Sequence, residues 1–195
     1  DSEKTLGPLI AHRRNEFTLV SKCGQAEEGL TGAAWSAGII AETIDRSLKS
    51  LGTDRIDVML LHSCDLATLK TGEALGALVK ARQQGKVKHI GYSGDNDAAA
   101  YAVTLKEVEV LETSVNVVDQ INLDKVLPGA QKNNVGVIAK RPIANAAWKN
   151  LSDQQGPYRD YAKPYTDRLA KLPLKPQDVG FNDWPELALR FTLSQ

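Results

Sequence analysis

Ser47-Leu48-Lys49-Ser50-Leu51-Gly52-Thr53-Asp54-Arg55-Ile56-Asp57-Val58-Met59-Leu60-Leu61-His62 carries the chain from the end of a helix into a strand. Upstream, Ser36 stands where a helix needs a cap, and Ile40, Ile44, Leu48 and Leu51 follow at spacings that place them on one face. Gly52 closes that helix, because glycine takes the left-handed conformation of a C-terminal cap without steric cost. The run from Ile56 to Leu61 is short and nearly all apolar, which reads as a strand covered on both faces. It delivers a polar, chemically useful side chain, His62.

The same unit recurs on either side. Ser2 is placed to cap a first helix with Leu6, Leu9 and Ile10 on one face, ending near His12-Arg13-Arg14, where basic residues suit the negative pole. Phe17 to Ser21 then reads as a strand that delivers Lys22, and Gly24 to Gly32 as a loop. Beyond His62, a helix around Leu75, Leu78 and Val79 stops at Gly85, and the strand Val87 to Tyr92 delivers Ser93. A helical piece covers Ala98 to Leu105. Val108 to Val118 contains a further strand, centred near Val110, whose apolar run is interrupted by Glu112, Thr113 and Ser114. Lys125 to Lys132 is helical, and the strand Val135 to Ala139 delivers Lys140, Arg141 and Pro142. From Ile143 to Asn182 the text is loop-like, with Pro157, Pro164, Pro173 and Pro176, and is expected to be a long flap on one single domain. Asp183 and Pro185 open a last helix through Leu187, Leu189 and Phe191.

Short apolar strands alternating with helices indicate a parallel sheet covered by helices. No Gly-x-Gly-x-x-Gly follows any strand, which removes the dinucleotide fingerprint of the open doubly wound sheet. Reactive residues at successive carboxyl ends are what a (β/α) barrel requires, since its mouth gathers those ends. The fold expected is therefore α/β, of TIM-barrel type. The chain has 195 residues, with 24 Lys and Arg against 24 Asp and Glu, so nothing in its charge invites nucleic acid, and no apolar run is long enough to span a bilayer. Its partner is expected to be a small molecule. Two cysteines, Cys23 and Cys64, suit a reducing compartment and an expected cytoplasmic location.

On these residues the chain resembles the aldo-keto reductases, (β/α)8-barrel enzymes that pass a hydride between NADPH and a carbonyl. The matching text is Ser2-Glu3-Lys4-Thr5-Leu6-Gly7, Ser21-Lys22, Ser47 to Asp57 leading to Leu60-Leu61-His62, Gly85-Lys86-Val87 to Ile90-Gly91-Tyr92-Ser93, and Val137-Ile138-Ala139-Lys140-Arg141-Pro142. The resemblance implies NADPH as cofactor, an aldehyde or ketone as substrate, and Lys22 and His62 as the lysine and histidine of the family's Asp, Tyr, Lys, His set. Ser93 resembles the serine that holds the nicotinamide carboxamide. The family has Asn next to it, where this chain has Gly94, with Asn96 two residues on. The register that puts Asn116 on a family Asn puts Glu112 on the family's carboxamide-binding Gln, with Gln120 as the rival; a carboxylate accepts from the carboxamide NH2 but cannot donate to its oxygen. Arg141 sits where many members place an aromatic ring against the nicotinamide, and a guanidinium plane also stacks.

By the same resemblance the family's catalytic Tyr and Asp would precede position 1, and the last strand with its phosphate-binding loop would follow Gln195. The expectation is the middle of a barrel, about strands three to seven, inactive by itself and prone to self-association through open strand edges. Two other readings compete with the enzyme. One is a non-catalytic binding or regulatory module on the same fold; the other is a metal hydrolase using His62, Cys64 and Cys23, which lacks the carboxylates such a site needs.

Overall fold

The computed structural model describes residues 2–195. In chain order the elements are α1 (Ser2–Ile10), β1 (Val20–Cys23), α2 (Ala37–Leu51), β2 (Ile56–His62), α3 (Leu66–Thr71), α4 (Glu73–Gln83), β3 (Val87–Ser93), α5 (Asn96–Ala102), β4 (Val110–Ser114), α6 (Ile121–Lys125), α7 (Leu127–Lys132), β5 (Gly136–Lys140), α8 (Pro157–Leu169) and α9 (Trp184–Leu193). The five strands form one sheet in the order β1-β2-β3-β4-β5. The first four are parallel, with Lys22 opposite Leu60, Leu60 opposite Gly91 and Gly91 opposite Val110. β5 runs the same way: the Gly136 N–H donates to the Glu109 carbonyl at 2.9 Å, and further along both strands the Val115 N–H donates to Lys140 at 3.3 Å. Parallel strands in sequential order, joined through helices, are the α/β arrangement of a barrel wall.

The chain divides into two compact units, one running up to Glu112 with Gly129–Ile138 and the other Thr113–Pro128 with Ala139–Gln195. In the first, α2 forms as its text dictates. The Ser36 side chain accepts from the Ile39 N–H, and Gly52 caps the far end at φ 64°. Ile40, Ile44 and Leu51 are buried along the inward stripe, and α2 packs on α1 and α4. Ile56, Met59, Leu60, Leu61, Ile90 and Leu111 are fully buried in the sheet. At about 1.5–3 kcal/mol for each large apolar side chain removed from water, this layer is the main stabilising contribution.

The polar residues at the start of β2 do separate work. Arg14 donates to the Asp57 carboxylate at 2.7 Å, to Thr53 Oγ1 at 3.1 Å and to the Arg55 carbonyl at 3.0 Å. Asp57 also accepts from the Leu19 N–H at 2.8 Å. Arg14 therefore ties the segment entering β1 to the segment entering β2, a more specific role than balancing a helix pole. Burial alone would raise the Asp57 pKa; the Leu19 N–H and the Arg14 guanidinium outweigh it and hold the carboxyl below its ordinary range.

Several boundaries differ from those read in the sequence. Ser2 is itself the first helical residue, and a turn of 3-10 helix (Ala11–Glu16) follows α1. β1 begins at Val20, so Lys22 lies inside the strand and not after it. The polar interruption Glu112-Thr113-Ser114 is strand, with Thr113 and Ser114 fully buried. In the second unit, α8 forms within the stretch read as loop-like. Pro157 at the first helical turn has no N–H to satisfy and starts the helix, and buried Ala162 and Tyr165 anchor it despite Pro164. Tyr165, Val117, Val118, Ala144, Ala147 and Ala188 make the core of this unit.

Candidate active site

Strand register decides which side chains meet. Along each strand the side chains alternate between faces, and residues opposite one another in parallel neighbours share a face. Lys22 is opposite Leu60, His62 is opposite Ser93, and Ser93 is opposite Glu112. Leu60 and His62 are two apart, so Lys22, His62, Ser93 and Glu112 all project from one face at the carboxyl ends. Cys23, Leu61, Tyr92 and Leu111 form the neighbouring row on the opposite face.

Lys22 Nζ lies 2.9 Å from Glu112 Oε2. Two strands separate β1 from β4, and a flat sheet would hold their backbones roughly 14 Å apart at the usual strand spacing. An ion pair across that gap means that this face is concave, as the inside of a barrel wall is. The Lys22 and Glu112 side chains are 32% and 14% exposed, so the pair is open to a small molecule yet partly shielded from water. The other oxygen, Glu112 Oε1, accepts from Ser93 Oγ at 3.4 Å, and Ser93 is buried. The carboxylate thus bridges the lysine and the serine. Lys22 and His62 also border a cleft of about 700 Å³, together with Glu3, Ser21, Glu27 and Arg46. The His62 carbonyl accepts from Gln25 Nε2 at 3.3 Å.

Arg141 belongs to the second unit. Its backbone is left-handed, at φ 57°. Its guanidinium donates to Ser114 Oγ at 3.0 Å and to the Tyr165 hydroxyl at 3.2 Å, and it lies over the rings of Tyr161 and Tyr165 at 6.0 and 5.9 Å. Asp119 accepts from Tyr165 at 3.4 Å and pairs with Arg168 at the same distance. This polar cluster is not apparent in the Pro-rich text. Tyr158, Tyr161 and Tyr165 stand three and four apart, a helical spacing that would have shown it. Gln120 is engaged locally, donating to the Val117 carbonyl at 2.8 Å.

Both cysteines are buried. Burial pushes the Cys64 thiol up to about 11 and the Cys23 thiol higher still, which keeps them protonated near neutrality. Among the described residues no three His, Cys, Asp or Glu side chains cluster as a metal ion would need, and no helix is long and apolar enough to cross a membrane.

The family model described as the aldo/keto reductase family matches residues 1–194. The chain belongs to the aldo/keto reductase family. L-galactose dehydrogenase from Arabidopsis thaliana is 31% identical over 166 residues, 80% of this chain and 50% of that protein. The NADP(+) aldo-keto reductase yakc of Schizosaccharomyces pombe is 28% identical over 167 residues, 78% of this chain and 48% of that one. Among solved structures, one from Pseudomonas aeruginosa assigned to the aldo-keto reductases superposes with a TM-score of 0.63 at 29% identity, covering 73% of this chain and 57% of the other. An aldo/keto reductase from Klebsiella pneumoniae in complex with NADP and acetate shares the fold, with a TM-score of 0.60 at 23% identity over 74% of this chain and 50% of that one. This aldo/keto reductase chain spans about half the length of the curated relatives it matches.

Proposed function

We propose that the protein carrying this chain is an NADPH-dependent oxidoreductase that reduces an aldehyde or ketone to an alcohol. The observation that carries the reading is the concave face on which Lys22, His62, Ser93 and Glu112 project together, drawn in by the Lys22–Glu112 ion pair. The names of relatives point the same way: besides the NADP(+) reductase above, an NADPH-dependent alpha-keto amide reductase from Saccharomyces cerevisiae is 29% identical over 67% of this chain.

The donor set fits a nicotinamide carboxamide. Such a group presents one carbonyl oxygen and one NH2, and it needs a donor beside an acceptor. Ser93 Oγ and the Glu112 carboxylate, opposite one another on neighbouring strands, supply that combination. When bound, the cofactor supplies the hydride. Lys22 places a positive charge where negative charge develops as a proton leaves a nearby donor. His62, at the end of β2, can hydrogen-bond the substrate oxygen, orient the carbonyl and share the proton it receives. Glu112 keeps the lysine drawn over this face.

The test is the loss of NADPH absorbance with a panel of aldehydes and ketones, using the full-length protein. Lys22→Met and His62→Ala are each expected to lower kcat/KM by about a hundredfold or more. Tight NADPH binding with no turnover on any carbonyl would favour a binding or regulatory module instead. Turnover undiminished by Lys22→Met would remove the role given to the lysine. The reading includes a cytoplasmic location, which fractionation of cells expressing the full-length protein checks.

A further inference from the structure

His62 is followed by an abrupt change of backbone direction. Ser63 has φ 63°, a left-handed conformation that a serine holds only when its surroundings impose it. Its N–H still donates to the Ser93 carbonyl at 2.8 Å, so the ladder between β2 and β3 continues one residue past the histidine. After it, Cys64 is buried, and Asp65 caps α3 by accepting from the Thr68 N–H at 2.7 Å. The turn is therefore held on one side by the sheet and on the other by a helix start.

Between these two holds lies one more hydrogen bond. The Tyr92 hydroxyl donates to the Cys64 carbonyl at 2.7 Å, from the face of the sheet opposite to His62 and Ser93. Tyr92 is among the largest fully buried side chains. Burial raises its ionisation well above the ordinary phenol range, so the hydroxyl remains a neutral donor. Its space is kept open by the residue two further on: a Cβ on Gly94 would stand 2.4 Å from the Tyr92 hydroxyl and 2.5 Å from a ring carbon. Gly94 is also fixed in place, its N–H donating to the Glu112 carbonyl at 3.0 Å. The absence of a side chain at 94 and the presence of a hydroxyl at 92 are thus one arrangement.

We infer that Tyr92 is a positioning residue for His62, holding the Ser63 turn from behind the sheet through the Cys64 carbonyl, with Gly94 as the vacancy that admits its hydroxyl. The role rests on the reading of His62 as a site residue, but the geometry of the hold does not. A turn locked immediately after His62 fixes the backbone from which the ring projects. When that turn relaxes the His62 backbone shifts with it, and small losses of alignment cost rate more than binding.

The experiment is carbon-13 NMR of the imidazole Cε1 groups in the full-length protein, followed through pH. This chain has three histidines, His12, His62 and His89, which act as internal controls for one another. In Tyr92→Phe the ring stays and the hydrogen bond goes. The His62 resonance is expected to shift or broaden and to titrate differently, with His12 and His89 unchanged. Gly94→Ala attacks the hold from the other side by pushing the Tyr92 ring away, and the same selective response is expected; it decides the matter if Tyr92→Phe does not fold. Ile90→Val, at a fully buried position two residues before Tyr92 and on the same face, is the control for destabilisation alone and should leave His62 as it was. Where the protein reduces carbonyls, Tyr92→Phe should lower kcat by about tenfold with KM for NADPH unchanged. An unchanged His62 in folded Tyr92→Phe, or an equal His62 response in Ile90→Val, overturns the inference. Absence of carbonyl reduction in wild-type protein would count against the proposed function and leave the NMR result standing.

Discussion

Replacing Asp57 should cost stability in an amount that the structure sets and pH can switch off. In Asp57→Ala, Arg14 loses its carboxylate partner at 2.7 Å and the Leu19 N–H loses its acceptor at 2.8 Å. The Arg14 and Asp57 side chains are only 11% and 17% exposed, so water cannot fully replace either contact. Breaking a buried ion pair by removing one partner costs about 3–5 kcal/mol. Arg14 keeps Thr53 Oγ1 and the carbonyls of Phe17 and Arg55, which moves the cost toward the lower end. The expected loss is about 3–4 kcal/mol, including an unsatisfied Leu19 N–H. Asp57→Asn retains an acceptor for Leu19 and loses only the charge, for about 1.5–2 kcal/mol. The Asp57 pKa is depressed in the fold. Its contribution is therefore fully present above the unfolded carboxyl value of about 3.9 and disappears as pH falls through the lower folded value. Urea unfolding should show a difference between wild type and Asp57→Asn that is constant from about pH 5 to 7 and shrinks at more acid pH. A loss below about 1 kcal/mol in Asp57→Ala, the level of an exposed pair, or a difference unchanged down to about pH 2, would refute this reasoning.

Glu112→Leu removes both the charge that holds Lys22 and the acceptor offered to the carboxamide NH2; kcat/KM for carbonyl reduction should fall by about tenfold, read from initial rates. Both thiols are held protonated, so a disulfide-exchange reagent at mildly alkaline pH should react slowly with Cys23 and Cys64 in the native protein and quickly with both once it is unfolded; rapid labelling of either in the native state would count against their burial. Arg141→Lys should destabilise the second unit by about 1–2 kcal/mol, because an ammonium cannot span Ser114 and Tyr165 while lying over two rings; thermal unfolding checks it, and an unchanged midpoint would show that the cluster is not stabilising.

What is legible in the amino-acid sequence is mostly what depends on neighbours in the chain. The α2 face, its Ser36 and Gly52 ends and the apolar run of β2 are local: cap chemistry and side-chain period act over a few residues. Lys22, His62, Ser93 and Glu112 could be named because each stands near the end of an apolar run, or interrupts one, and because the surrounding text resembles a family. α8 is not apparent in the loop-like, Pro-rich text from Ile143 to Asn182, although a proline in the first turn, as Pro157 is, starts a helix.

The ion pair between Lys22 and Glu112, residues far apart in the chain, was not legible, because only the curvature of the sheet brings strands three places apart within reach. Nor was the use of Arg14, Thr53 and Asp57 as a clasp between two strand entries, or the hydroxyl of Tyr92 passing behind the sheet to the turn after His62. The α2 helix, the apolar strand runs and the polar side chains near their ends follow from propensity, caps and periodicity, which are short-range properties. Which of those side chains touch is a property of the packed layer, since register and curvature are set by the whole sheet, and a hydrogen bond or ion pair exists only where that packing brings a donor within about 3 Å of its acceptor.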